Sequence, residues 1–293
     1  MQNKIAIFGE VLFDCFPDGY SILGGAPFNV AWHLQALGMQ PLFVSRVGDD
    51  GLGQEIRRAM QAWGMDDSAV QSDSQYPTGS VAVTLNQGEP QYRILADQAY
   101  DFIAAESLTP DLACGMLYHG TLALRHAVSR NALDKIKRQD RCRVFLDVNL
   151  RAPWWKIDDV RQSLAAADWV KLNGDELDML LPGDEPLPQR MNQFGQQFDL
   201  QGLVVTLGER GAAAWLADGE VVMVEPKKQV EVVDCVGAGD AFAAILLLGI
   251  VETWPLAQTM QRAQEFASAL VGQRGATVGE RSFYRPFVEA WKL

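Results

Sequence analysis

Residues 232–242 read VVDCVGAGDAF, and two kinds of chemistry meet in them. Gly237, Ala238 and Gly239 are too small to cover their own backbone N–H groups, and an apolar run that reads as a buried helix begins at Ala241. A helix N-terminus carries partial positive charge and free N–H donors, so this turn suits an anion or the charge that develops when a phosphoryl group moves. Asp240 adds a carboxylate at the same place. Such an acid becomes useful when a substrate hydroxyl lies between it and the amides: it takes the proton while they hold the transferring group. The same residues also have a plain structural use, because Asp is a common N-cap and Gly a common turn residue.

A second stretch, GGAPFNVAWHLQALG (24–38), also mixes special backbone with polar chemistry. Gly24 and Gly25 permit unusual dihedrals and close approach of a ligand. Pro27 suits the first turn of a helix, and Asn29 offers both a donor and an acceptor there. Ala31 and Gly38 keep that helix slim; a turn followed by a Gly-capped helix would need no more.

The elements that must hold these stretches follow from the hydrophobic pattern. KIAIFGE, PLFVSRVG, GMLYHG, RVFLDVN, DWVKLN and GLVVTLG are short continuous apolar runs, the mark of strands buried on both faces. Helical segments are expected at 27–37, 51–63, 128–139, 157–166, 174–181 and 189–198, and Val232 and Val233 read as the end of another strand. The series predicts an α/β fold, a doubly wound and mostly parallel sheet flanked by helices. GSVAVTLNQGEPQYRIL (79–95) departs from it: Val81, Val83 and Leu85 alternate with small or polar residues, NQGEP turns, and Tyr92 and Ile94 alternate again. That is an antiparallel hairpin with one dry face. With VLFDCFPDGYSIL (11–23) it makes a small antiparallel β lid, from about 10–24 and 77–98, on one domain spanning 1–293. The dry face of the lid needs a cover, either a ligand or a second copy of the chain.

Bulk composition narrows the class. A net charge of −12 argues against nucleic acid or an anionic membrane as partner. The four cysteines, Cys15, Cys114, Cys142 and Cys235, form no C-x-x-C and are expected to be reduced thiols of a cytoplasmic protein. The longest apolar stretch, Ala241 to Val251, is too short to span a bilayer. His33, His119 and His126 lack partners at metal-ligand spacing.

Taken together, the two stretches resemble the ribokinase or PfkB carbohydrate kinase family. Its N-terminal signature is matched from Gly24 through Gly25, Asn29, Ala31 and Gly38 to Gly48, and its C-terminal one at Asp234, Gly237, Ala238, Gly239, Asp240 and Ala244. Cys235 replaces a usual Thr or Ser, and Ile245 a usual small residue. The resemblance runs from Ile5 to about Gly279 and implies a ribokinase-like fold in which ATP phosphorylates a sugar hydroxyl. Asp240 then matches the catalytic base and Gly237, Ala238 and Gly239 the anion hole. Asp14 matches a lid acid that binds sugar hydroxyls, with Gly24, Gly25 and Asn29 the substrate-contacting hinge. Asn173 and Glu176 carry the family's N-x-x-E, which organises Mg²⁺ largely through water. Thr206, Gly208 and Gly211 resemble the nucleotide-side turn. RGATVG, with Gly275, resembles the loop that closes the nucleotide pocket and, with Asp234, contributes to a possible K⁺ site.

GEVLFDCFP, AYDFI (99–103) and DVNLRAPWW (147–155) look most like the fructokinase branch, which makes D-fructose the first expected acceptor. Ribose, 2-keto-3-deoxygluconate or a nucleoside stand behind it. Arg151 is expected to meet phosphate and Arg93 to reach the substrate, with surface ion pairs as their alternative. Trp154 and Trp155 lie beneath the site or belong to the core. A sugar- or nucleotide-binding relative without catalysis is the alternative of another class; its mark would be loss of the base or anion hole. The uncovered apolar face of the hairpin also admits a homodimer through the lid.

Overall fold

The computed structural model describes residues 4–86, 89–108, 114–138, 142–226 and 231–293. In chain order its elements are β1 (Ile5–Phe8), β2 (Leu12–Cys15), β3 (Ser21–Gly24), α1 (Ala26–Ala36), β4 (Leu42–Gly48), α2 (Gly51–Trp63), β5 (Val70–Asp73), β6 (Gly79–Asn86) and β7 (Glu89–Ile94). There follow β8 (Met116–His119), α3 (Ala127–Lys137), β9 (Arg143–Asp147), α4 (Ile157–Ala165), β10 (Trp169–Asn173), α5 (Gly174–Leu180) and α6 (Leu187–Gln197). The chain continues through β11 (Gly202–Thr206), β12 (Ala212–Leu216), β13 (Val221–Val224), α7 (Ala238–Val251), α8 (Leu256–Leu270) and α9 (Arg281–Trp291).

Nine strands form the main sheet in the order β13-β12-β11-β10-β9-β8-β1-β4-β5. All pairings are parallel except β11–β12 and β12–β13. Side chains alternate between faces along each strand, and both faces are dry. Ile5 and Ile7 of β1 enter one core with α1, α2, α7, α8 and α9. Ala6 and Phe8 enter a second core with α3, α4, α5 and α6. This is why the strand segments read as unbroken apolar runs. The chain winds from β1 outward to β5, then resumes at β8 on the other side of β1, so strand order reverses beside β1. In such sheets a crevice opens beyond the C-terminal strand ends at the reversal.

A second sheet, β3-β2-β6-β7, makes the lid. Its outer pairs, β2–β3 and β6–β7, are antiparallel, while β2 and β6 run parallel and join the two hairpins. The expected turn falls at 87–88 and, like the Leu85 side chain, lies outside the described residues. The dry face is covered by the chain itself: Leu12 and Val81 pack with Tyr100, Leu122, Ala123, Ile94 and Trp154.

Two expectations need correction. No strand forms at Val232–Val233; both side chains are more than half exposed, and the Val233 and Asp234 amides donate to the Val271 carbonyl at 2.8 and 3.1 Å. The β-branched pair gave a strand signal with no neighbouring strand to receive it. Nor are all four thiols free. Cys114 and Cys142 form a disulfide, and Cys15 and Cys235 are free. The two residues are 28 apart in sequence, yet each stands within two residues of the start of one of two adjacent parallel strands. With Met116 opposite Arg143, the entries to β8 and β9 lie side by side.

Candidate active site

Helix α7 sets the frame. It is apolar all round and buried from Ala241 to Gly249, so tertiary packing fixes its axis. Its N-terminal turn emerges at the crevice. Gly237 takes φ +80°, and a Cβ there would lie 2.5 Å from the Ala276 backbone, so only glycine lets the 237–240 turn and the 274–279 loop approach this closely. Ala241 N donates to Gly237 O at 2.8 Å, the first regular helical bond, and no side chain caps the helix. Ala238 N turns back to Cys235 O at a long 3.4 Å. Among the described residues the amides of Gly237, Gly239 and Asp240 have no hydrogen-bond partner, which leaves those of Gly239 and Asp240, inside the first helical turn, for a ligand.

Asp240 Oδ2 accepts a 2.8 Å hydrogen bond from Asn29 Nδ2. Asn29 sits in the first turn of α1, its own amide bound to Gly25 O at 2.8 Å. Gly25 has φ +111°, and a side chain there would strike the Glu10 carbonyl at 2.7 Å. The second glycine of the GG pair is thus a steric requirement that brings α1 against the chain leaving β1. Burial pushes the Asp240 carboxyl up to about 6, opposed first by the Asn29 hydrogen bond; Asp147 raises it, and Lys171 and Arg151 lower it.

Beneath this turn lies a buried polar cluster from neighbouring strands. Lys171 of β10 donates to both carboxylate oxygens of Asp147 on β9, at 2.9 and 2.8 Å, and the Tyr118 hydroxyl on β8 donates to Asp147 Oδ2 at 3.1 Å. A methyl group added at Gly239 would sit 3.5 Å from Lys171 Nζ. The sequence signal for Lys171 was a charge inside DWVKLN, an otherwise apolar strand buried on both faces; such a charge demands a partner.

Near these elements Glu10 Oε2, Asn29 Oδ1 and Arg125 Nη1 are buried without a hydrogen-bond partner, as is His119 Nε2 at the end of β8. Arg125 is otherwise bound, at 2.6 and 2.7 Å, to the two Asp101 oxygens, and its guanidinium lies 4.3 Å from the Trp154 ring centre. Burial pushes the Glu10 carboxyl up to about 7, offset by its own backbone and by Arg151; Asp240 raises it and Arg125 lowers it. Neither Glu10 nor Arg125 stood out in the sequence, where each was one charged residue in a loop.

The remaining expected residues are placed as follows. Asp14 of β2 is half-buried, and burial raises its carboxyl above the usual range. Arg151 is exposed, hydrogen-bonds Leu150 O at 3.2 Å, and reaches Asp240 and Glu10 only through its charge. Arg93 is exposed on β7, with no contact to this cluster among the described residues; it stands on the strand farthest from β2 and β3. Asn173 and Glu176 form a capping box at α5: Asn173 Oδ1 accepts from Glu176 N, and Glu176 Oε2 from Asn173 N, each at 2.8 Å. The other Glu176 oxygen accepts from Leu150 N at 2.7 Å, tying α5 to the Arg151 loop. Thr206 Oγ1 reaches Leu172 O at 3.4 Å, and a side chain on Gly211 would collide with Val224 O, so that glycine serves the β12–β13 pairing. Gly208 and Gly275 have positive φ with open space around them, and Gly24 would meet only Asn29 Oδ1, at 3.9 Å. Asp234 bridges two loops, accepting from Val236 N at 3.0 Å and Gly275 N at 2.9 Å.

A carboxylate poised to accept a proton, open amides at a helix mouth and a buried ammonium below them suit acid–base phosphoryl transfer on an α/β scaffold. Comparison with known proteins gives the family. The model of the pfkB family carbohydrate kinases matches residues 4–282, and the chain belongs to that family. A fructokinase of Klebsiella pneumoniae is 34% identical over 265 residues, covering 85% of this chain and 85% of its own. The fold is shared with an ATP-bound fructokinase of Xylella fastidiosa, at TM-score 0.87 and 22% identity over 100% of both chains. A fructokinase double mutant of Vibrio cholerae O395, bound to fructose, ADP and potassium, superposes at TM-score 0.82 with 25% identity over 97% of this chain and 98% of its own. The protein is an ATP-dependent carbohydrate kinase.

Proposed function

We propose that this kinase transfers the γ-phosphoryl group of ATP to a hydroxyl of D-fructose, with Asp240 as general base. The observation that carries the reading is the first turn of α7, where the Asp240 carboxylate and the free amides of Gly239 and Asp240 share one helix mouth. Asp240 takes the hydroxyl proton as the amides receive the transferring group, so negative charge develops where donors already point. A non-catalytic relative would lack the base or these donors, and this chain has both.

The unpaired atoms favour a neutral, hydroxyl-rich acceptor. Hydroxyl groups can donate to Glu10 Oε2 and Asn29 Oδ1 and accept from Arg125 Nη1, which meets all three buried requirements at once. A sugar acid such as 2-keto-3-deoxygluconate would bring its carboxylate among Glu10, Asp14 and Asp240, with the Arg125 charge already matched by Asp101. The similarity to fructokinases supports fructose among neutral sugars.

Mg²⁺ fits as an ion carried by the ATP phosphates. Both Glu176 oxygens are engaged by amides, and no group of three His, Cys, Asp or Glu among the described residues can hold a metal directly. Glu176 would reach it through water, and the ion would neutralise phosphate charge. Asp234, joined to the 274–279 loop, is the residue that would support K⁺. Because the chain itself covers the dry face of the lid, a homodimer there would rest instead on the exposed rings of Tyr20 and Tyr92, 60% and 55% accessible. Light scattering at micromolar concentration would show it, and a monomer would remove it.

Acceptor identity is tested by coupled ADP release with Mg-ATP against fructose, ribose, 2-keto-3-deoxygluconate and a nucleoside. Fructose should give the highest kcat/KM. A preference for the sugar acid would overturn the substrate reading, and no sugar-dependent ADP release at all would overturn the catalytic one.

A further inference from the structure

A lysine buried in the middle of a sheet needs a reason. Lys171 is only 6% exposed, and its carboxylate partner Asp147 1%. Removing two charges from water is costly, and well-packed apolar residues often stabilise a core as well as or better than a buried ion pair. Stability alone therefore gives little reason for this pair.

Its position offers one. The pair spans β9 and β10 in register, Lys171 opposite Asp147, just short of the C-terminal strand ends where the crevice opens. Asp147 takes two of the three ammonium donors. Tyr118, from β8, holds the carboxylate on its other side. The ammonium is thus fixed from two strands, and it lies 3.5 Å from where a Cβ at Gly239, in the first turn of α7, would stand. Gly239 carries one of the amides without a partner among the described residues.

We propose that the Lys171–Asp147 pair is a positioning element for phosphoryl transfer, its ammonium a fixed positive charge beneath the anion-binding turn. Resting on the kinase reading above, this adds a charge that neither signature contains. A preorganised cation in a water-poor site stabilises charge that develops there without reorganising at the moment of reaction. The groups facing Asp240 are Asn29 from α1, Tyr118 from β8, Asp147 from β9, Lys171 from β10, Arg151 from the loop after β9 and Glu10 from the loop after β1. Asp147 raises the Asp240 carboxyl pKa and Lys171 lowers it, so the pair also bears on when the base is ionised.

Two variants test the idea. Lys171→Met combined with Asp147→Asn removes both charges, leaves the net charge unchanged and keeps an acceptor for Tyr118, so no uncompensated charge is buried. A purely structural pair predicts near wild-type turnover from this variant once circular dichroism and melting show that it folds. The positioning role predicts a fall in kcat of about 10²-fold, the scale of losing one oxyanion donor, with KM for sugar and ATP within about threefold. Asp147→Asn alone leaves the ammonium less neutralised and should move the Asp240 titration to lower pH, read by the carboxyl ¹³C shift even in the absence of turnover. A folded double variant retaining a third or more of wild-type kcat would overturn the proposal, as would an Asp240 titration that stays or rises in Asp147→Asn. An inactive wild-type protein with the expected ¹³C shift would instead count against the kinase reading and leave the electrostatic coupling standing.

Discussion

At the residue scale, the chemistry turns on where protons sit. Asp240→Asn should leave sugar and ATP binding, measured by calorimetry, close to wild type while lowering kcat by about 10²–10⁴-fold, the range for a general base. The wild-type pH profile should have an acidic limb. Asp240 must be ionised to accept a proton and its pKa is raised to about 6, so kcat/KM should fall as pH drops through about 6. Glu10 makes a separate prediction about stability. Its pKa rises from 4.5 to about 7 on folding; the folded state therefore binds the proton more tightly, and the stabilisation is complete below about 4.5 and lost as pH rises through about 7. Glu10→Gln should match wild-type stability near pH 4.5 and exceed it at pH 8 by on the order of 3 kcal/mol from the shift itself, seen as a higher melting temperature. Equal melting at both pH values would show that Glu10 has no such burden. Asp240, Asn29 and the small residues of the anion turn were singled out in the sequence because together they match the two signatures of the family. Lys171, Glu10 and Arg125 were not, because their importance comes from burial and from neighbours tens of residues away.

At the element scale, much of the site is geometry supplied by glycine and by one histidine. Gly237→Ala would place a left-handed Cβ against Ala276, costing at least about 1–2 kcal/mol from the backbone conformation alone. It should lower the melting temperature and weaken ATP binding, since the 274–279 loop would be pushed from the anion turn; a tight-binding variant of normal stability would contradict that geometry. His33 holds the same loop from the other side, its Nε2 at 3.1 Å from Ala276 O and its Nδ1 at 3.0 Å from the Tyr284 hydroxyl. Burial drives its pKa down to about 4, so the ring is neutral, with Nε2–H donating to the carbonyl, while the Tyr284 hydroxyl lies within hydrogen-bond reach of both Nδ1 and Val278 O. The strands and helices named in advance largely formed within a few residues, because a strand dry on both faces has a distinctive composition. β5, β12, β13, α8 and α9 lack that signature. VQSD carries little apolar signal, AAAWL reads equally well as helix, and α9 contains Pro286. The pair at 232–233 failed for the opposite reason: β propensity was present and a sheet neighbour was not.

At the scale of the whole molecule, ligand and lid should act on stability together. A non-hydrolysable ATP analogue or fructose at a hundred times its dissociation constant should each stabilise the fold by about 2.7 kcal/mol if it binds only the native state. Thermal shift assays would read this, and no shift from fructose would remove it as substrate. The chain's acidity makes an anionic nucleotide depend on local donors rather than on the global field, and those donors belong to α7. That helix runs through the largest hydrophobic core and is wrapped by α1 and α8. Its reactive tip therefore has no independent softness: whatever disorders the amides must first loosen the interior. Heating should extinguish catalysis and compact structure at a single midpoint, with no warm interval in which an intact protein has merely lost its grip on phosphate.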